Sequence, residues 1–193
     1  MKISNGVNKK KILFSIFIII FGIIFRIFLN TKIGIPNFEA VTALSLISGS
    51  FLGGIFGSLI SLSIIFFSDL YLGNNFILFF TWSAFIFIGL FGSLIKRNSR
   101  YYFPKIIGSG IISVLFFYLW TNFGWWLISG MYPMNLQGLI QSYIAGVPFL
   151  RNQLASALIF TPLFVPVFSL LSDKVFKKES SKYENIAFVS KIS

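Results

Sequence analysis

Five long apolar stretches, each with few or no charges, constrain the fold more than any other feature of the sequence. They run over residues 12–29, 38–67, 76–95, 106–128 and 136–171. A helix crosses the roughly 30 Å hydrocarbon core of a bilayer with about 20 such residues. With 56% hydrophobic and only 11% charged residues, a chain of 193 residues is too apolar for a soluble domain. The sequence therefore predicts an all-α integral membrane protein.

The second apolar stretch is too long for a single span. As one helix, residues 38–67 would measure about 45 Å, well beyond the hydrocarbon core. Its middle contains the glycine-rich segment 49–54, where a helix is easily broken. We expect two short helices, over 38–51 and 54–68, and keep a re-entrant hairpin as the alternative.

Basic clusters test this break independently. They lie at residues 9–11, at 96–105 and after 173, beside the ends of apolar stretches. The positive-inside rule places all three in the cytoplasm, so an even number of crossings must separate them. Six helices in the cell membrane satisfy this requirement, with both termini cytoplasmic. The expected helices cover 12–29, 38–51, 54–68, 77–95, 106–128 and 149–171, with a short interfacial helix over 136–147 that ends at Pro148 and a flexible basic tail over 174–193.

Charge and composition exclude several functions. The net charge of +11 does not indicate nucleic-acid binding, because the basic residues sit beside apolar spans, where they contact anionic lipid. Without His or Cys there is no Ser–His pair, no thiolate and no usual transition-metal ligand set. Glu39 and Asp69 are the carboxylates of the membrane region, and they form no catalytic motif. We expect no enzyme activity, no metal and no cofactor.

Residues 118–152 interrupt the apolar chain with amides, aromatic rings and one Arg. Polar side chains at membrane depth are costly unless they face protein, water or a ligand. Aromatic surfaces beside amides suit a planar, hydrogen-bonding small molecule, and an aromatic belt at the membrane interface is the alternative. The predicted solute-binding residues are Asn122, Trp125, Trp126, Tyr132, Gln137, Gln141, Tyr143, Arg151, Asn152 and Glu39.

The charged residues near these spans have alternative roles. Asn37 is a plausible N-cap and Glu39 suits the first helical turn, but Glu39 is also placed to meet a cationic group of a ligand. Arg151 could clamp a carboxylate or phosphate, or pair with Asp69 or Glu39. We expect Arg26 to reach towards the membrane surface and Asp69 to be an exposed interfacial acid.

Small residues recur every four positions in the second and third helices. Such spacing lets helix backbones approach closely in lipid. Packing within the bundle is the favoured interpretation, and docking to a partner's helices is the alternative. The residues concerned are Gly49, Gly53, Gly57 and Ser61, with Ala40 and Ala43 as a second small surface.

Several short motifs lie within roughly residues 35–170. They are Asn37-Phe38, the glycine-rich segment 49–57, Ser68-Asp69-x-x-x-Gly73, Thr121-Asn122-Phe123-Gly124-Trp125-Trp126, Tyr132-Pro133, Gly138-Leu139 and the segment from Tyr143 to Pro148-Phe149. Together these motifs resemble an uncharacterised family of small membrane proteins, which is similar to the substrate-binding S components of energy-coupling factor (ECF) transporters.

The resemblance implies a six-helix protein that captures a vitamin or related micronutrient from outside. Its partners would be the solute, membrane lipid, one transmembrane T subunit and two ATPases. Many S components dock through small residues of the first helix, where this chain offers only Ser15 and Gly22. Either docking uses the Ala40 and Ala43 and glycine faces, or the chain joins no such complex. The competing hypothesis is a non-catalytic scaffold of the rod-shape-determining (MreD-like) type.

Overall fold

The structure is a bundle of six helices. This computed structural model describes the backbone of residues 2–73 and 76–189 and the side chains of residues 9–73 and 76–175. A five-residue π-helical turn, Leu29–Ile33, extends the first helix, and Gly34 ends it with a φ of 66°. The helices are α1 (Lys2–Phe28), α2 (Val41–Leu52), α3 (Gly54–Leu72), α4 (Leu78–Gly92), α5 (Tyr102–Ile128) and α6 (Leu136–Val189).

Four helical segments are long and apolar enough to cross a membrane. They are Lys9–Ile33, Gly54–Leu72, Tyr102–Ile128 and Leu136–Val175. The two other helices, α2 and α4, are apolar but shorter, with 12 and 15 residues. These lengths indicate a membrane protein, and the predicted set of six helices is confirmed. Helices α1 and α5 begin earlier than expected, because hydropathy marks only the apolar part of each helix.

The predicted break in the second apolar stretch lies at Gly53, between α2 and α3. Its φ of 102° is a conformation that residues with a side chain rarely adopt. The Ser50 hydroxyl, near the end of α2, donates to the Ile95 carbonyl, just after α4, at 2.7 Å. Asp69, near the end of α3, pairs with Arg26, near the end of α1. Two helices, α2 and α3, therefore occupy residues 41–72 and run in opposite directions.

The helices alternate in direction, so each end of the bundle collects a defined set of connections. At the Arg97 end, Lys10 Nζ donates to the Val175 carbonyl at 3.0 Å, and Arg97 pairs with Asp173 at 2.7 Å. The connections after α1, α3 and α5 lie at the opposite end, which we call the Pro36 end. The predicted basic clusters thus share one end of the bundle.

The expected boundary at Pro148 is wrong, because α6 is one helix of 54 residues that contains Pro148, Pro162 and Pro166. No separate helix covers 136–147. The backbone is also helical through residues 174–189, where a flexible tail was expected, and residues 190–193 lie outside the described part. A proline removes one helical hydrogen bond. Contacts on both sides of Pro148 hold the helix: Ser142 donates to the Asn122 carbonyl, and Gln153 donates to Glu39.

Helix α2 forms the centre of the bundle. Every residue from Glu39 to Gly49 is buried, as expected of a helix that is apolar on all sides. Its neighbours include α3, α4, α5 and α6. Ala40 and Ala43, with 2% and 1% of their surface exposed, pack inside this core.

Glycines bring the backbones of α2, α3 and α4 into direct contact. A Cβ atom on Gly57 would lie 2.6 Å from the Gly49 Cα, and one on Gly89 would lie 2.5 Å from the Gly57 carbonyl carbon. Ser61 is fully buried, whereas Gly53 is exposed. Most of the predicted small-residue face is therefore used for contacts between helices of the same chain.

Replacing Gly89 with Ala should destabilise the bundle by about 1–3 kcal/mol, because the added methyl group overlaps the α3 backbone, which cannot move aside. Gly108→Ala in α5 is the matched control, since no described atom beyond its chain neighbours and its own helix backbone lies within 4 Å of the added Cβ. The control should be neutral or stabilising by up to about 1 kcal/mol. Thermal unfolding in detergent micelles compares the two, and equal effects would contradict the packing account.

Candidate functional site

A polar cavity of about 160 Å³ lies at the Pro36 end of the bundle. Its walls come from α1, α3, α4, α5 and α6 and from the connection between α1 and α2. Three rings, those of Phe38, Phe85 and Phe117, line it together with the polar residues Arg26, Asn30, Asn37, Glu39, Asp69, Thr81 and Gln153.

An ion pair forms one wall of the cavity. Arg26 of α1 and Asp69 of α3 lie 2.7 Å apart, with 19% and 7% of their side chains exposed. Arg26 also donates to the Ser68 hydroxyl, and the Trp82 indole of α4 donates to the second Asp69 oxygen at 2.9 Å. The expectations of an Arg26 directed to the membrane surface and of an exposed Asp69 are wrong. In a low-dielectric interior, a charge is stabilised by a hydrogen-bonded partner.

The Glu39 carboxylate is buried, with 8% of the residue exposed. It accepts hydrogen bonds from the Thr42 backbone N–H at 3.0 Å, the Thr42 hydroxyl and Gln153 Nε2 at 3.3 Å. Glu39 thus caps α2, and the expectation that Asn37 does so is wrong because the helix begins only at Val41. Among the side chains described, no Lys or Arg forms an ion pair with Glu39.

Glu39 precedes α2 and lies outside the membrane-spanning helices. Burial raises the pKa of its carboxyl above the ordinary value, and the hydrogen bonds from Thr42 and Gln153 oppose this rise. Burial thus disfavours the charged form of Glu39, and no described Lys or Arg pairs with it to compensate for the lost hydration.

Gln153 of α6 completes the Glu39 side of the cavity. It is 1% exposed, its Nε2 donates to Glu39, and its Oε1 has no hydrogen-bond partner among the described residues. When Glu39 is ionised, turning the amide over would place its oxygen against the carboxylate, so the amide donor faces Glu39 in that form. The cavity therefore combines a carboxylate with an unused carbonyl acceptor on a lining residue.

One of the ten predicted binding residues lines this cavity, and a second bonds to the connection that carries it. Glu39 lines the cavity. Asn152 lies beside it, and its Nδ2 donates to the Pro36 carbonyl at 2.9 Å. This bond fastens the connection that carries Asn37 and Glu39 to α6.

Other predicted residues join the two helices of the α5–α6 hairpin. Asn122 Nδ2 donates to the Tyr118 carbonyl within α5 at 2.8 Å, whereas the Asn122 backbone carbonyl accepts from the Ser142 hydroxyl of α6 at 2.9 Å. The Tyr143 hydroxyl donates to the Leu119 carbonyl at 3.2 Å, and the Tyr118 hydroxyl donates to the Tyr143 carbonyl at 2.6 Å. The hydroxyls of Ser142, Tyr143 and Tyr118 thus hold α5 against α6.

The remaining predicted residues lie further along the same hairpin. Trp126 Nε1 donates to the Pro133 carbonyl at 2.9 Å, which closes the connection between α5 and α6. Trp125 and Tyr132 are half-buried, whereas Gln137, Gln141 and Arg151 are exposed. None of these residues lines the polar cavity.

Sequence reasoning did not include Arg26, Asp69, Gln153 or Thr81 among the binding residues. The sequence did contain a sign of this site, because ionisable residues within apolar segments suggest a functional role by themselves. Arg26 and Asp69 are 43 positions apart. Their pairing depends on which helices are neighbours, and a single sequence does not supply that.

A larger groove of about 560 Å³ runs between α4 and α5. Its walls include Phe87, Phe91, Ile112 and Phe116, and no charged residue lines it. Such a groove offers contact to a hydrocarbon tail but few groups that could orient a polar molecule. Binding sites combine apolar walls with a few convergent polar groups, so the smaller cavity is the better candidate.

Asp69→Asn should destabilise the protein by about 3 kcal/mol, because it leaves the Arg26 charge without its buried partner. Asp173→Asn is a matched control: the distance to its Arg is also 2.7 Å, but Asp173 is 36% exposed. We expect the control to cost less than about 1 kcal/mol. Thermal unfolding measures both, and equal losses would contradict the structural role of the Arg26–Asp69 pair.

The raised pKa of Glu39 predicts a pH-dependent stability of the ligand-free protein. The folded state holds the Glu39 proton more tightly than the unfolded state, so this contribution is present at acid pH and is lost as pH rises through the folded-state pKa. Glu39→Gln removes it, while Arg26 and Asp69 in the same cavity remain. The stability of the variant relative to wild type should therefore increase as pH rises from the ordinary carboxyl range through the folded-state pKa of Glu39. A difference that is constant across thermal unfolding curves would contradict this.

A comparison with known families gives one match. A model described as a family of unknown function, DUF6580, matches residues 7–181. The matched region contains every residue that lines the polar cavity. No curated protein and no solved structure matches the chain. The chain therefore belongs to DUF6580, a family whose function is unknown.

Proposed function

We propose that the chain is the substrate-binding membrane subunit of an ECF-type importer, similar to an S component. It captures a small micronutrient at the outer face of the cell membrane and has no ATPase of its own. The observation that carries the proposal is the polar cavity, where charged and amide groups from several helices converge beside three aromatic rings. Few convergent polar groups within apolar walls are typical of small-molecule sites.

The size of the cavity limits the solute. A cavity of about 150 Å³ holds a molecule the size of benzene. The 160 Å³ of the polar cavity thus suits a molecule of roughly six to ten non-hydrogen atoms. A vitamin precursor fits this range better than a large intact vitamin.

The basic residues support an orientation with the Pro36 end outside. Lys10, Lys11 and Arg97 lie at the opposite end, where Lys10 contacts Val175 and Lys11 lies over the Phe56 ring. Cytoplasmic segments carry the excess of Lys and Arg. Both termini would then be cytoplasmic, and the cavity would face the external medium.

A T subunit and two ATPases would energise uptake as separate chains. Burial of Ala40, Ala43 and Gly49 inside the bundle leaves those faces without room for a partner. Helix α1 instead presents an exposed apolar stripe, formed by Ile12, Leu13, Ile16, Phe17, Ile20 and Ile24. Either lipid or a T subunit can cover such a stripe.

The scaffold hypothesis has less support. A scaffold that binds no solute needs no ligand pocket, whereas charged, amide and aromatic side chains converge on the polar cavity. No observation favours a scaffold over a binding subunit.

Native mass spectrometry of the gently purified protein tests the proposal by looking for a retained small molecule or T subunit. Thr81→Phe should abolish retention of the molecule, because Thr81 lines the cavity and a phenyl ring would fill it. Gln141→Ala on the exposed face of the hairpin is the control and should leave retention unchanged.

Two results would contradict the proposal. Loss of the molecule in Gln141→Ala but not in Thr81→Phe would place the site on the hairpin surface. Wild-type protein that retains neither a small molecule nor a T subunit, in several mild detergents, would argue against a binding subunit altogether.

A further inference from the structure

We propose that the polar cavity binds a small organic cation, with a protonated amine beside Glu39 and Gln153 and an apolar body against the aromatic walls. This inference rests on the proposed function, since it names the chemical class of the captured solute.

The cavity is lined by two carboxyl groups but only one basic side chain among the described residues. Arg26, Asp69 and Glu39 are its charged residues, and Arg26 is paired with Asp69 at 2.7 Å. Glu39 is left with neutral hydrogen-bond donors alone, from Thr42 and Gln153. A buried carboxylate without a counter-ion is costly, and a bound cation would compensate for it.

The acceptors on the same side also suit a donor. Gln153 Oε1 is buried and has no hydrogen-bond partner among the residues described. The donor of this amide is already committed to Glu39 and Thr42. A protonated amine carries up to three N–H donors and no acceptor, so it complements a carboxylate and a carbonyl oxygen.

The aromatic walls distinguish an organic cation from an inorganic one. Phe38, Phe85 and Phe117 line the cavity, and an aromatic face attracts a cation and packs against an apolar body. A bare metal ion would leave most of the 160 Å³ empty. The described residues also contain no group of three or more His, Cys, Asp or Glu that could hold a metal.

An anionic solute fits the cavity poorly. Arg26 is the cation that lines it, and that side chain already donates to Asp69 and Ser68. Arg151, the residue expected to clamp a carboxylate or phosphate, is exposed and does not line the cavity. An anion would therefore meet Glu39 without an available counter-charge.

Three probes of matched size test the inference: benzylamine, benzyl alcohol and benzoate, which are cationic, neutral and anionic. Each has about eight or nine non-hydrogen atoms, within the range that the cavity admits. Binding to the full-length protein in detergent is measured by thermal shift at neutral pH. We expect benzylamine to raise the unfolding temperature, and the two other probes to have little effect.

Glu39→Gln should weaken benzylamine binding at least about tenfold, because a charge-assisted hydrogen bond is lost. Asp173→Asn is the control: it makes the same acid-to-amide change at the Arg97 end, outside the cavity, and should leave binding unchanged. If Glu39→Gln does not fold, Gln153→Met replaces it and should also weaken binding. Gln153→Met removes both polar atoms of the amide while keeping a side chain of similar volume.

The inference is overturned if benzylamine does not stabilise the wild-type protein, if it stabilises Glu39→Gln equally, or if benzoate binds more tightly. Native mass spectrometry separates this failure from that of the proposed function. A retained neutral or anionic molecule that is lost in Thr81→Phe would refute the cation and support the binding subunit. Glu39-dependent benzylamine binding without any retained molecule or T subunit would support the cation site and count against the importer.

Discussion

The ion pair between Arg26 and Asp69 joins three helices at the depth where the polar cavity lies. Asp69 of α3 accepts from Arg26 of α1 and from Trp82 of α4, so one carboxylate holds α1 and α4 to α3. At the other end of α2, contacts among Gly49, Gly57 and Gly89 hold α2, α3 and α4 together without polar groups. The Trp82–Asp69 bond and the glycine contacts thus fix α4 against α3 near both ends of α3.

This arrangement decides the electrostatics of the cavity. Because Arg26 is committed to Asp69, it does not neutralise Glu39, although both line the same space. Glu39 also caps α2 through Thr42, which ties a ligand-facing carboxylate to the most buried helix of the bundle. The unbalanced charge is thus a consequence of how the helices pack, and it gives the cavity its proposed preference for a cation.

Local rules predicted the architecture better than the site. The six helices and the break at Gly53 follow from hydropathy and from the backbone freedom of glycine, which are properties of short segments. The rule that proline ends a helix failed at Pro148, because contacts with α5 and Glu39 outweigh one lost hydrogen bond. Asn122 and Tyr143 were predicted to contact a ligand, but Asn122 Nδ2 bonds to the Tyr118 carbonyl one turn earlier in α5, and the Tyr143 hydroxyl bonds to the Leu119 carbonyl across the hairpin. Both the continuous helix at Pro148 and the structural bonds of Asn122 and Tyr143 depend on which helices pack together, and a single sequence does not supply this information.

The most direct test of a cation-selective cavity uses the absence of cysteine from the natural sequence. A single Thr81→Cys substitution places one thiol in the cavity wall, and Gln141→Cys places one on the exposed hairpin. Each purified variant is reacted with a cationic aminoethyl and an anionic sulfonatoethyl methanethiosulfonate. The account predicts that the ratio of cationic to anionic modification rates is at least about tenfold higher for Thr81→Cys than for Gln141→Cys. Equal ratios, or a Thr81→Cys thiol that reacts faster with the anion, would contradict it.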